Sequence, residues 1–264
     1  MCCRLLSQSG YTYQLSGKTS STKYNVVDVS NGGTIRGVVI LRGNSPSLSS
    51  MEITKDSKVC GRSTPSPRLS LGKNKGVRNA IIYLAEIREG KKLTNEKIVL
   101  DQQGCIYEPH VLILPLGSQL EIVNSDPILH NVHAYDLQNR QTTVFNIAQP
   151  IKGQRTPIKP TMFKHPGLFL TTCDAGHPWM SSYIWVVDHP YHVITDADGA
   201  FVLEQVPPGS YTLKMWHEGI RITKTEMENG SVKNYLYEEP YELEHNISVP
   251  ANGEEVVQFE IVLR

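Results

Sequence analysis

Apolar and polar residues alternate through GTIRGVVILRG (33–43), and a glycine bounds the run at each end. A period of two turns one face of a strand inward and the other outward. Comparable short runs follow at VRNAIIYLAEI (77–87), KIVLD (97–101), HVLILPLG (110–117) and SQLEIVNSD (118–126). Downstream come GLFLTTC (167–173), SYIWVVD (182–188), GAFVLEQV (199–206), GSYTLKMWHE (209–218) and EEVVQFEIVL (254–263). Gly, Pro, Asn and Asp punctuate these runs, a pattern that predicts an all-β sandwich or barrel. Helical periodicity is scarce: SSMEITKDSKVCG (49–61) predicts one short helix. Strand and helix patterns do not alternate, which argues against a parallel βαβ sheet. Residues 1–31 are polar and Ser/Thr-rich and read as a loose leader, while SPRLSLGKNKG (66–76) and QPIKGQRTPIKP (149–160) read as loops.

Composition narrows the class. The 264 residues suit one or two domains, at roughly 150 residues each. Apolar residues at 39% and charged residues at 20% allow a packed core. Lys plus Arg equals Asp plus Glu, 26 each, so no basic excess points to a nucleic-acid partner. The longest apolar runs fall well short of the ~18–20 residues of a membrane span. MCCRLLSQSG lacks the apolar centre and cleavage site of an export signal. We read the start as truncated or misassigned rather than as the mark of a cytosolic protein.

The sharpest chemical signal is TTCDAGHPWM (171–180), which places Cys173, His177 and Met180 in one Cys-x3-His-x2-Met loop. A thiolate, an imidazole and a thioether, joined by a second imidazole, make the His2Cys-plus-axial-Met set of blue-copper electron-transfer sites. The second imidazole is expected from another strand, and SDPILHNVHAYD (125–136) follows the strand SQLEIVNS. LILPLGSQLEIVNSDPILHNV and FKHPGLFLTTCDAGHPWM resemble the two ligand-bearing halves of the cupredoxin family, over about residues 97–188. That resemblance implies His130, Cys173, His177 and Met180 as ligands of one copper ion. It also implies that Asn131 braces the ligand-bearing loops. Trp179 flanks the axial Met and either shields the metal or packs. The loop spacing is closer to the dinuclear copper A centre, but residue 169 is Phe where that centre has a second Cys, so the site reads as mononuclear. The expected exit for electrons is an exposed edge of His177, facing a redox partner such as a c-type cytochrome.

The remaining histidines and cysteines carry alternatives. His110, His133 and Cys105 form a candidate second metal site, against which stands the reading of satisfied polar groups. Cys60 and Cys105 are the candidate disulfide in the body of the chain, and pairing them leaves Cys173 free. A disulfide and an exported copper protein fit the same oxidising compartment, periplasmic or extracellular. His165 lies at a turn and reads as solvated, and Trp216 beside His217 as packing. DADG (196–199) reads as an Asp-Gly turn rather than a calcium loop, and the sequons at Asn229 and Asn246 say little.

ITDADGAFVLEQVPPGSYTLKMWHEG (194–219) resembles the carboxypeptidase regulatory-like, or transthyretin-like, family. Its expected first strands stand upstream, as GTIRGVVILRG and VRNAIIYL. The resemblance implies a smaller β-sandwich split into 32–95 and 190–264, with a cupredoxin Greek-key sandwich, 96–189, inserted. DQQGCIYEPHV, NSDPILHNVH, CDAGHPWM and VPPGSYTLKMWHE together resemble exported proteins, of the methylamine-utilisation type, that join these two domains. The implied function is electron transfer without catalysis, the second sandwich acting as scaffold or docking module. The alternatives are copper storage, delivery or sensing, an enzyme with an open copper position, or a binding module with a vestigial metal site.

Overall fold

The structure is a computed structural model, and it describes residues 24–46, 50–139 and 141–263. It is all-β and stacks four principal sheets in layers. One outer sheet has the strand order Gln154–Ile158, Leu120–Asn124, Ile98–Gln103, Ile106–Glu108. It faces a five-stranded sheet ordered Thr142–Gln149, His130–Asp136, Gly167–Thr172, Ser181–Val187, Val111–Pro115. Leu100, Leu120, Ile122, Val132, Phe145, Phe169 and Ile184 fill the space between them.

The other half pairs early strands with late ones. Ile81–Ala85 lies between His192–Ile194 and Gly209–His217, with Tyr241–Val249 at the edge. Gly33–Arg42 lies between Ala200–Val206 and Glu254–Val262. Ile35, Val39, Phe201, Leu213, Phe259 and Ile261 form the core between these two sheets. The chain leaves this half after Glu89–Gly90, where Ile87 still lies in its core, and its next strand in these two sheets is His192–Ile194.

The two halves meet across a layer that holds Ile81, Tyr183, Trp185, Val187 and Trp216. Trp185 and Trp216 lie 6.0 Å apart, and Tyr183 lies 5.1 Å from Trp216. This explains SSYIWVV: six of its seven residues are buried, because neighbouring sheets cover both faces of that strand. Trp216 is packing, as its sequence position suggests, and His217 is buried beside it.

Several expectations change. Of the described residues 50–61, only Ser57–Cys60 is helical, and Met51–Glu52 is a strand paired with Ser63–Thr64. Met51 and Ile53 turn into the core, which no continuous helix over that segment would allow both to do alongside the Cys60 link. The stretch 149–160 holds the strand Gln154–Ile158. It is an edge strand, so the missing N–H of Pro157 breaks no inner ladder. The leader 1–31 is anchored at its end: Asn25–Val26 pairs with Glu89–Gly90, and the Tyr24 hydroxyl donates to Lys91 O at 2.8 Å. Its first 23 residues, Cys2 and Cys3 among them, lie outside the described residues. Asp196 Oδ1 accepts the N–H groups of Asp198 and Ala200, both at 2.9 Å, which builds the DADG turn.

Gly37 shows how tightly the early strand is inserted. A side-chain carbon there would lie 2.1 Å from Val257 O and 2.4 Å from the Phe201 ring. Gly37→Ala is expected to destabilise the fold by about 1–3 kcal/mol through overpacking. Urea denaturation checks this, and an unchanged midpoint would mean that the contact relaxes freely.

Candidate metal centre

Two segments bring the centre together. The first is a turn built by Asn124, which ends its strand fully buried. Its Nδ2 donates to Ile128 O at 2.9 Å and Gln149 O at 2.7 Å, and its Oδ1 accepts the Asp126 N–H at 3.0 Å. These bonds fold residues 125–129 so that His130 starts the next strand pointing inward, 0% exposed. The second segment is the connection 173–180 between Gly167–Thr172 and Ser181–Val187, whose register pairs Thr172 with Ser181. Gly176, at φ +88°, supplies a turn that side chains rarely adopt.

His130, Cys173 and His177 converge, their ligating atoms all within 4.8 Å of one another. His130 Nδ1 lies 3.2 Å from His177 Nδ1, and Cys173 Sγ lies 3.5 Å from His177 Nδ1. Such separations match the edges of a tetrahedron whose centre sits about 2.0–2.3 Å from each atom, the reach of imidazole and thiolate bonds. The donor set therefore fits a single ion. Cys173 is the free cysteine among the described residues.

The far nitrogen of each histidine faces a carboxylate. His130 Nε2 donates to Asp126 Oδ2 at 2.9 Å, and His177 Nε2 donates to Asp56 Oδ2 at 2.9 Å. A carboxylate accepts only, so each proton stays on Nε2 and each Nδ1 lone pair faces the shared space. Asp126 is fixed in turn by the N–H groups of Gly104 at 2.9 Å and Cys105 at 2.8 Å. Burial pushes the His177 pKa down, and Asp56 pulls only part of the way back, so the ring stays a neutral ligand. Burial pushes the Cys173 thiol up, against the N–H groups of Ala175 and Asn131, so a cation arriving here must displace its proton.

Neither carboxylate figures in the sequence reading. Asp126 stands four residues before His130 in SDPILH, but nothing in its type sets it apart. Asp56 is 121 residues from its partner, and no local pattern reports such a contact. It belongs to residues 51–64, which lie over the centre. An exposed His177 edge is therefore a wrong expectation: the ring is 0% exposed and its outer nitrogen is taken by Asp56.

Asn131 Oδ1 accepts the Asp174 N–H at 3.1 Å, joining the two ligand-bearing segments. Trp179 is buried, 5.2 Å from the His177 ring, with its indole N–H on Cys105 O at 3.0 Å. Met180 is buried in the same cluster as Cys173 and Trp179, and its N–H donates to His177 O at 3.0 Å.

The candidate second site is not assembled. Cys105 is joined to Cys60 in a disulfide and offers no thiolate. His110 is engaged by Ser181 O at 3.0 Å and by Glu218, and His133 by Asp174 at 2.6 Å and Thr143 at 2.8 Å. His165 is only part exposed and is bound to Asp136 at 2.8 Å, so it is not simply solvated.

No protein-family model matches the sequence, and no curated protein matches it. Parts of solved structures are similar to about a third of the chain. A Cu-containing nitrite reductase from Thermus scotoductus is 25% identical over 38% of this chain, with a TM-score of 0.30. The chain spans 24% of that protein's length. A purple cupredoxin from Nitrosopumilus maritimus is 21% identical over 34% of this chain and 99% of its own, with a TM-score of 0.29. Auracyanin A from Chloroflexus aurantiacus is 13% identical over 36% of this chain and 100% of its own, also with a TM-score of 0.29.

Proposed function

We propose that this chain is a copper-binding electron-transfer protein of the cupredoxin type, with a mononuclear His130, Cys173, His177 and Met180 site. One observation carries the reading: two Nδ1 atoms and a buried free thiol share one space, and each imidazole's other nitrogen is held by its own carboxylate. Copper held there supplies a one-electron couple. The chain's part is to fix the donors and keep water away. His130 is set by Asp126 and the Asn124 turn, His177 by Asp56, and Cys173 by the Asn131 bridge to Asp174. The buried thioether of Met180 would be the fourth donor to the ion, and Trp179 packs against His177.

Residues 96–189 are the cupredoxin domain in this reading. Residues 32–95 and 190–264 are a carboxypeptidase regulatory-like sandwich that acts as scaffold or docking module. The pairing of Gly33–Arg42 with Ala200–Val206 and Glu254–Val262 supports that division. Four protein donors leave no open position for a substrate, so no catalytic activity is proposed. The partner is a small redox protein such as a c-type cytochrome, met through a small and weak interface. The Cys60–Cys105 disulfide supports a periplasmic or extracellular setting. No helix among the described residues is long and apolar enough to cross a membrane.

The cover over His177 favours a second reading, copper storage or delivery, because it closes the edge through which electrons would leave. The optical and EPR spectra of the protein with one equivalent of cupric ion test the first reading, beside Cys173→Ser. An intense visible charge-transfer band is expected in the parent and is expected to vanish in the variant. A parent without that band overturns the copper–thiolate reading. A parent that shows the band but is not reduced and reoxidised reversibly in voltammetry belongs to the storage reading.

A further inference from the structure

We infer that residues 51–64 are a covalently latched cover on the metal centre, in which Asp56 is the positioning residue for His177 and the Cys60–Cys105 disulfide is the latch. The ligand roles rest on the copper reading above; the cover itself does not.

Residues 51–64 have little stability of their own. The base is one pair of two-residue strands, Met51–Glu52 and Ser63–Thr64. The helix Ser57–Cys60 has four residues and no side-chain cap on its first N–H groups. A helix of that length does not persist in isolation. What orders the segment is what it touches. Met51 and Ile53 are buried in the cluster that holds Cys173, Trp179 and Met180. The Tyr237 hydroxyl reaches Met51 Sδ at 3.5 Å. Lys55 Nζ donates to Ala175 O at 2.5 Å, and Asp56 holds His177. Both of these bonds land inside the connection that carries Cys173 and His177.

The latch sits where it governs both histidines. Asp56 immediately precedes the helix that ends at Cys60, and Cys60 is bonded to Cys105. The N–H of Cys105 is held by Asp126, the carboxylate on His130. Cys105 O accepts the indole N–H of Trp179, which packs on His177. One S–S bond thus joins the segment that carries Asp56 to the Gly104–Cys105 turn, whose N–H groups hold Asp126. It restricts the cover in the open state and so makes closure cheaper in chain entropy.

Alkylation of Cys173 by iodoacetamide in the copper-free protein, followed on its peptide by mass spectrometry, tests the cover. Cys60→Ser/Cys105→Ser and Asp56→Ala are each expected to react about tenfold faster than the parent, because local opening now exposes a buried thiol. A rise below about threefold in either variant overturns the inference. The rates are repeated in low urea. A flat response marks local opening of the cover, whereas a rate that climbs from the first addition marks global unfolding and also overturns it. In the copper-loaded protein, Asp56→Ala is expected to change the cupric hyperfine splitting, and Asp56→Asn, which keeps an acceptor oxygen, to restore it. An unchanged splitting in Asp56→Ala overturns the positioning role. Should the parent show no copper–thiolate band, the copper reading fails, and alkylation still decides the cover.

Discussion

Glu218→Gln is expected to destabilise the folded protein by about 3–5 kcal/mol at neutral pH, because it leaves a guanidinium buried without its counter-charge. Glu218 is 2% exposed. Its Oε2 lies 2.7 Å from Arg68 Nη1, and its Oε1 meets His110 Nε2. Arg68 also donates to Gly219 O at 3.2 Å and stacks 3.4 Å from the centroid of the Tyr237 ring. These residues come from four separate segments of the chain, and the network binds the two halves together beside Ser181, the neighbour of Met180. Burial alone would raise the Glu218 carboxyl, but Arg68 and His110 outweigh it and bring its pKa down to about 2 from 4.5. The folded value lies below the unfolded one, so the stabilisation is complete above about pH 4.5 and is lost as the pH falls from there toward 2. Denaturant titrations at neutral pH and near pH 3 check both halves of the statement. The parent should lose more stability between the two conditions than the variant. Equal losses would mean that the network carries no net ionic stabilisation.

Arg68 also marks a limit of sequence reading. SPRLSLGKNKG has loop composition and is mostly irregular, yet this arginine inside it is buried at 5%. Nothing local announces a partner 150 residues away. Strands that alternate, such as Gly33–Arg42 and Ala200–Val206, were legible because one face of each is covered and the other is wet. Thr142–Gln149 and Tyr241–Val249 are sheet edges with mostly polar, exposed faces, so hydrophobic periodicity is faint in them. The hairpin Ile222–Glu228 with Ser231–Tyr237 is polar too. It did carry a local signal, an Asn-Gly pair at 229–230 with φ of 52° and 79°, the turn chemistry that hairpins favour.

The centre divides along the same line. Cys173 and His177 are recognisable because a thiol and an imidazole in one short spacing have few other uses, and His130 because its segment resembles the upstream ligand-bearing half of the cupredoxin family. Their acidic partners are ordinary surface residue types, and only the folded chain gives them work. The sequence suggested an open His177 edge because a segment 120 or so residues upstream leaves no trace near CDAGHPWM; a contact of that separation is set by tertiary packing, not by pattern.

Asp126→Asn follows from this. The variant keeps the size of the side chain but replaces one oxygen with a donor. Asp126 accepts three N–H groups: Gly104 on Oδ1, and Cys105 with His130 on Oδ2. With the amide NH2 in the Oδ2 place, it opposes the Cys105 N–H and donates to His130 Nε2. His130 then carries its proton on Nδ1, where a metal ligand needs a lone pair. With the amide turned over, the oxygen still serves Cys105 and His130, and the lost bond is the one to the part-buried Gly104 N–H. The ring keeps its tautomer but loses its charged partner. Both arrangements weaken His130 as a ligand, and copper affinity is expected to fall about 10–100-fold. Competition with a chelator of known affinity measures it. The first arrangement predicts a loss near the upper end together with a clear drop in stability, since two donors then face each other in a buried place. The second predicts a loss near the lower end with stability little changed. An affinity within about threefold of the parent would mean that Asp126 serves the Gly104–Cys105 turn alone and leaves the metal untouched.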